Sequence, residues 1–209
     1  MPIIDYEARI MTCNFIYYGP SQGGKTTNLS YLHQHAVNKS RGNLINLATQ
    51  TDRTMFFDYL ALEFDLIEEY KTKFNLYTVP GQLFYEITRK TILKGLNVVD
   101  GIVFVADSQI DRRDANIESF WNLQHNLQSY GLNLYQIPYV LQVNKRDLPN
   151  ICTLDEMKKE LVIKDEPVIE AVADKGVGVL ETLRAVSKKS LETLRQNMNA
   201  KQQDLIANM

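Results

Sequence analysis

Short β-type runs alternate along the chain with longer stretches whose apolar residues recur at helical spacing. Residues 11–18 are apolar and β-rich and stop at Gly19-Pro20. Within 25–37, Leu29, Leu32 and Ala36 fall on one helical face. A short strand is predicted over 43–49, with Ile45 and Leu47 on one side and Leu44 and Ala48 on the other. The alternation is cleaner over 71–79: Phe74, Leu76 and Thr78 face one way, Asn75, Tyr77 and Val79 the other, as in a half-buried strand. Gly101-Ile102-Val103-Phe104-Val105-Ala106 and the run 137–143 are apolar on both faces, which suits central parallel strands covered on both sides. Helices are predicted over 117–127, from Thr153 (with Glu156 three residues on, a capping box) and over 179–194; a last strand is predicted over 167–173. Strand–helix alternation of this kind specifies an α/β fold: a mostly parallel, doubly wound sheet with helices on both faces.

At 209 residues this is one domain, and 44% hydrophobic residues supply its core. We place the folded unit at 1–195 and expect the polar stretch 196–209 to be a fraying tail. Lys+Arg 23 against Asp+Glu 25 leaves a net charge of −2, which gives no general attraction to nucleic acid. Two cysteines, Cys13 and Cys152, make no disulfide scaffold and read as small buried hydrophobes. No apolar run approaches the ~18 residues of a membrane span. The start Met1-Pro2-Ile3 lacks a signal pattern and a myristoylation glycine, and the end lacks a prenylatable cysteine, so no lipid anchor is expected and the protein is placed in the cytoplasm.

Chemistry enters at the first strand–helix junction. Gly19-Pro20-Ser21-Gln22-Gly23-Gly24-Lys25-Thr26 fits G-x-x-x-x-G-K-[ST] at every fixed position. Gly19, Gly23 and Gly24 let the backbone curl so that N–H groups point inward at phosphate oxygens. The helix starting there adds unpaired N–H groups and a positive dipole end. Lys25 brings a point charge to the β- and γ-phosphates, and Thr26 offers its hydroxyl to Mg²⁺.

A second motif, Asn144-Lys145-Arg146-Asp147, directly follows an apolar strand, at the strand end where open α/β sheets bind ligands. Asp147 can accept from guanine's ring N–H and exocyclic amine, a donor pair adenine lacks, which rejects the wrong base by about 10⁴. The Lys145 stem can cover the base, and Asn144 ties the pocket loops together. Val172 and Ala173 close the last strand where a backbone N–H would meet the guanine oxygen. Alone, N-K-x-D is weak; behind a phosphate loop it is strong.

Two further segments, Thr51-Asp52-Arg53-Thr54 and Thr78-Val79-Pro80-Gly81-Gln82, complete a pattern that resembles the Ras-like small GTPases. More closely it is similar to the MglA family of bacterial polarity and gliding-motility GTPases, through Tyr17-Tyr18-Gly19-Pro20, Gly24-Lys25-Thr26-Thr27-Asn28-Leu29, Phe56-Phe57-Asp58, Phe104-Val105-Ala106-Asp107-Ser108-Gln109 and Asn144-Lys145-Arg146-Asp147-Leu148-Pro149. The likeness runs from about residue 5 to 195 and implies the P-loop small GTPase fold. It implies GTP as substrate, GDP as product and Mg²⁺ as cofactor. Ser21, Gln22 and Thr27 join the nucleotide site, Thr54 becomes the switch threonine on Mg²⁺, and the Gly81 N–H senses the γ-phosphate. Gln82 orients the attacking water and Arg53 is an arginine finger supplied in cis. Implied partners are a roadblock-fold activator of the MglB type and effectors of the GTP state.

Most small GTPases carry Asp where this chain has Thr78. Mg²⁺ thereby loses an outer-shell anion, and we expect weaker retention than in Ras, with Asp52 or Asp58 left to compensate. Arg53 and Thr54 are neighbours, and adjacent side chains of an extended segment point apart. The isolated protein is therefore expected to turn over slowly until a partner reshapes this segment.

The aromatic stretch Met55-Phe56-Phe57, Tyr59, Leu60 reads either as strand core or as a partner surface uncovered when the switch moves, and Phe84-Tyr85 poses the same choice. His33, His35 and His125 lack partners at metal-ligand spacing. Trp121 is assigned to packing, and the basic pairs Arg112-Arg113, Lys158-Lys159 and Lys188-Lys189 to solvated faces. A hydrolysing switch competes with two alternatives: a guanine-nucleotide scaffold that does not hydrolyse, favoured by Thr78, and a P-loop ATPase or nucleotide kinase, disfavoured by the N-K-x-D motif.

Overall fold

A computed structural model of the chain describes residues 2–36, 42–46, 58–67, 69–81 and 99–207. Among them the strands are β1 (Ile3–Asp5), β2 (Ile10–Tyr18), β3 (Ile45–Asn46), β4 (Asp58–Ile67), β5 (Tyr70–Thr78), β6 (Gly101–Asp107), β7 (Tyr139–Asn144) and β8 (Val168–Glu170). The α-helices are α1 (Lys25–His35), α2 (Arg113–Gln128), α3 (Leu154–Leu161) and α4 (Val179–Ala207).

One sheet carries all eight strands in the order β3-β4-β5-β2-β6-β7-β8, with β1 added antiparallel to the start of β2. Pairing is parallel from β5 across β2, β6 and β7 to β8, and antiparallel at β3-β4 and β4-β5. This is the doubly wound arrangement that the alternating pattern specifies. One strand, β1, went unread in the sequence, and β4 was met only at Tyr59 and Leu60, offered there as strand core or as a partner surface. β4 carries Glu63 and Asp65 among its apolar residues, yet its buried positions Leu60 and Leu62 keep period two. β1 is only three residues long. At the C-terminus, α4 continues past residue 196 to Ala207.

The core lies in two layers, one on each face of the sheet. Met11, Cys13, Phe15 and Tyr17 of β2 pack with Leu29 and Leu32 of α1 and with Leu183 and Val186 of α4. The opposite residues Ile16 and Tyr18 pack with Phe120 and Leu123 of α2 and Met157 and Leu161 of α3. Every residue of β6 is buried. Its large side chains, Val103 and Val105 on one face and Ile102 and Phe104 on the other, each contribute about 1.5–3 kcal/mol by burial. The strand so anchored ends at Asp107, beside the site. α3 starts with the capping box read from the sequence: Thr153 Oγ1 accepts from the Glu156 N–H, and the Glu156 carboxylate accepts from the Thr153 N–H.

Candidate functional site

Between β2 and α1 the chain makes the phosphate loop. Gly19 has φ 138, Gln22 φ 62 and Gly24 φ 104, so three of six consecutive residues leave the usual right-handed region. At Gly24 a Cβ would lie 2.1 Å from the Asn144 Nδ2, so glycine is required there for space as well as for conformation. No side chain caps α1 and its first turn holds no acidic residue. An N-terminus built this way presents its N–H groups and dipole to an anion. Lys25 is buried, and its Nζ donates to the Gly19 and Pro20 carbonyls at 2.9 and 2.6 Å, which fixes the ammonium over the loop.

Behind the loop sits a buried amide pair. Asn28 and Gln142 exchange two hydrogen bonds, of 2.7 and 2.9 Å. Asn28 also donates to the Gly24 carbonyl, and Gln142 to the Thr182 hydroxyl of α4. Every partner in this network is satisfied, so it locks α1 against β7 and α4 instead of weakening the core.

The base side is assembled from three chain segments. The Asn144 amide donates to the Gly23 carbonyl at 2.9 Å and its oxygen accepts from the Ala173 N–H at 2.9 Å. This residue ties the phosphate loop to the last loop, the role read for it in the sequence. Lys145 stands at φ 63, and its Nζ donates to Asp107 Oδ2 at 2.6 Å. Asp107 is wholly buried, and the pairing with Lys145 compensates its charge. Parallel pairing of β6 and β7 puts Asp107 directly opposite Asn144. Asp147 lies at the rim, 2.7 Å from Lys175 Nζ, and that hydrogen bond holds its carboxyl below the usual range. Val172 donates its N–H to Val177 and Ala173 to Asn144, so both backbone donors are engaged within the protein.

The third part of the candidate site centres on Thr26. Its hydroxyl donates to Asp58 Oδ2 at 2.6 Å. Thr78 donates to the same oxygen at 2.9 Å and accepts from the Asp58 N–H at 2.8 Å. Antiparallel pairing of β4 with β5, with Tyr59 opposite Tyr77, brings Asp58 to Thr78. Gly81 lies against the phosphate loop so closely that a Cβ would sit 2.3 Å from the Ser21 nitrogen. Among the described residues no group of three His, Cys, Asp or Glu could cage a metal. One hydroxyl with one carboxylate beside a phosphate cradle instead suits Mg²⁺, which takes hard oxygen ligands, keeps its waters and leans on substrate phosphates.

Arg53, Thr54, Gln82, Asp52, Met55, Phe56, Phe57, Phe84 and Tyr85 lie outside the described residues. Two residues beside the candidate site had been given no role in the sequence, Asp107 and Ser108, whose hydroxyl donates to the Asn144 carbonyl at 2.5 Å, and a third, Arg112, had been read as solvent-facing. Arg112 is no solvated face. It donates to the Ser21 carbonyl at 2.7 Å, while Arg113 pairs with Glu160. Trp121 is not packed either: it is 66% exposed, one residue off the buried stripe of Phe120, Leu123 and Leu127. Both cysteines are buried and free, and burial pushes the Cys13 thiol up to about 12. A separate apolar groove of about 510 Å³ lies between α4 and the β4–β5 edge, lined by Phe64, Phe74, Leu180 and Leu183 among others, and no residue of either motif lines it. No helix among the described residues is long and apolar enough to cross a membrane.

No family model matches the chain. It is 53% identical over 196 residues to the Mutual gliding-motility protein MglA of Myxococcus xanthus (strain DK1622), an alignment covering 94% of this chain and 99% of that protein. With the phosphate loop, the N-K-x-D wall and the mostly parallel sheet in place, this identity makes the chain a member of the MglA family of small GTPases, with the Ras-like P-loop fold.

Proposed function

We propose that the protein is a guanine-nucleotide switch that hydrolyses GTP and controls polarity and motility through partners that distinguish its two states. The observation that carries this reading is Asn144, which joins the phosphate loop to the base wall at 2.9 Å on each side. These two bonds support a reading in which the N-K-x-D turn and the phosphate loop act on one ligand, Asp147 on its base and Lys25 on its phosphates.

In the proposed mechanism the phosphate loop N–H groups from Ser21 to Thr27 and the α1 dipole hold the phosphates, with the Lys25 ammonium on their β and γ oxygens. Asp147 takes the guanine N–H pair, the Lys145 stem covers the base, and Val172 and Ala173 shape the wall around its oxygen. Mg²⁺, held by Thr26 and Thr54, supplies positive charge to the phosphates when bound. Gly81 reports the γ-phosphate, Gln82 aligns the attacking water, and Arg53 neutralises the charge that builds on the transferring group, an effect worth about 10³ or more in rate. A roadblock-fold activator of the MglB type brings Arg53 and Gln82 to the phosphates together. GTP-state effectors read the outcome at a cell pole or motility complex, with the protein otherwise in the cytoplasm.

The test is GTP turnover by the purified protein, alone and with an MglB-type partner, beside Gln82→Leu and Arg53→Ala. Slow basal turnover, stimulated by the partner and lost in both variants, is the expected result. Tight GTP binding with no turnover under any condition would replace this reading by the non-hydrolysing scaffold.

A further inference from the structure

Most carbonyls of the phosphate loop are held by its own motif or by the amides behind it. Gly19 and Pro20 accept from Lys25, Gly23 from Asn144 and Gly24 from Asn28. The Ser21 carbonyl is different. Arg112, in the short 3-10 turn before α2, donates to it at 2.7 Å from 91 residues away. A peptide unit is planar and trans, so a carbonyl and the N–H of the next residue point in opposite directions. With the Ser21 carbonyl held on Arg112, the Gln22 N–H faces the opposite way. Gln22 stands at φ 62, so the chain turns sharply just there. A positively charged donor also polarises the peptide that it binds, which makes the N–H on the far side a stronger donor. Arg112 is itself anchored. Its Nε lies 3.9 Å from Asp107 Oδ2, the oxygen that accepts from Lys145. Asp107 is fixed in turn: its other oxygen accepts from the Gln109 N–H at 3.1 Å, and the buried Asn116 bonds both its N–H and its carbonyl. One buried carboxylate thus places two cations, Lys145 of the N-K-x-D turn and Arg112 at the phosphate loop.

We infer that Arg112 is a positioning residue of the phosphate cradle, which holds the Ser21–Gln22 peptide with its N–H turned to a phosphate of the bound nucleotide. The inference rests on the nucleotide reading above and deepens it. The neighbouring arginine cannot stand in, because Arg113 is spent on Glu160. The arrangement also explains why a side chain that is only 34% exposed carries a full charge without a close carboxylate of its own. A backbone carbonyl takes one of its donors, and Asp107, shared with Lys145, balances the charge from farther off.

The test is GDP affinity of the full chain, with the phosphorus NMR spectrum of the bound GDP, for wild type beside Arg112→Ala and Arg112→Lys. Arg112→Ala should weaken GDP about 10-fold, roughly the worth of one hydrogen bond to a charged group. Its bound β-phosphate resonance should move while the α-phosphate resonance stays near its wild-type position. Arg112→Lys keeps a cation able to reach the Ser21 carbonyl, and should recover most of the affinity and return the resonance toward wild type. A lower melting temperature with unchanged affinity and an unmoved β-phosphate resonance overturns the inference, since an arginine that serves only the fold would give that pattern. Weaker binding with both resonances unmoved overturns it too, as does a lysine variant that restores neither readout. Should Arg112→Ala fail to fold, Arg112→Met, which keeps the apolar stem and loses every donor, is read by the same two measurements; if that variant also fails to fold, the inference is overturned. Failure of wild-type protein to hold GDP strikes the guanine-nucleotide reading instead.

Discussion

The two ends of the proposed nucleotide site, a base end and a metal end, are built on different plans. At the base end, Asn144, Lys145 and Asp107 bond to one another's loops through buried or half-buried groups, and each bond joins segments far apart in sequence. The supporting strands β6 and β7 are buried on both faces. At the metal end, Thr26 is exposed and Asp58 half-buried, and the contacts are two hydroxyls converging on one carboxylate oxygen. Among the described residues, the strand carrying Asp58 pairs antiparallel near the sheet margin, with the two-residue β3 beyond it. The base end thus has its geometry set by the core, while the metal end has it set by an edge. In the switch proposed above this division is useful: the part proposed to recognise the same base in both states is braced, and the part proposed to register the γ-phosphate is not.

Three substitutions probe the base end, in decreasing order of effect. Asp147→Ala removes the acceptor for the guanine donor pair, and the preference for GDP over ADP should collapse by about 10⁴-fold in a competition assay. Retained selectivity would move base recognition elsewhere. Asn144→Ala leaves the Gly23 carbonyl and the Ala173 N–H without their partner, and should cost about 2–4 kcal/mol in urea unfolding. Because Asn144 also holds the Gly23 carbonyl, the same variant should bind GDP more weakly in a direct binding titration, and unchanged affinity would show that the brace does not act on the ligand. The smallest effect concerns Lys175, which is exposed, as is much of Asp147. The bond from Lys175 lowers the Asp147 pKa, so its contribution is present above the unfolded carboxylate value and is lost only as pH falls through the lower folded value. Unfolding midpoints of wild type and Lys175→Ala should therefore run parallel from neutral pH down to about pH 4 and converge below it.

The phosphate loop and the base tetrad were legible because each is contiguous: the spacing of Gly19, Gly24, Lys25 and Thr26, or of Asn144 and Asp147, carries the chemistry within eight residues. The capping box at Thr153 was legible for the same reason. What escaped depends on register. Asp107 meets Lys145, and Asp58 meets Thr26, only once parallel and antiparallel pairings are known, and neither pairing is written in local spacing. Asp58 was one of two acids in view, and nothing in the chain order could choose between them. Trp121 went to the core because apolar type was read more strongly than its place off the helical stripe. Arg112 was read as solvent-facing because a pair of arginines at a helix start looks the same whether or not a carbonyl waits nearby.

The bond between Asn144 and Gly23 spans 121 residues. At a synthesis rate of about 5–20 residues per second, the phosphate loop leaves the ribosome roughly 6–24 s before the side chain that closes the base pocket behind it. During that interval the Gly23 carbonyl lacks the side chain that holds it in the finished fold. The loop between β2 and α1 is therefore braced late in biosynthesis, once β7 and the turn after β8 stand beside β6.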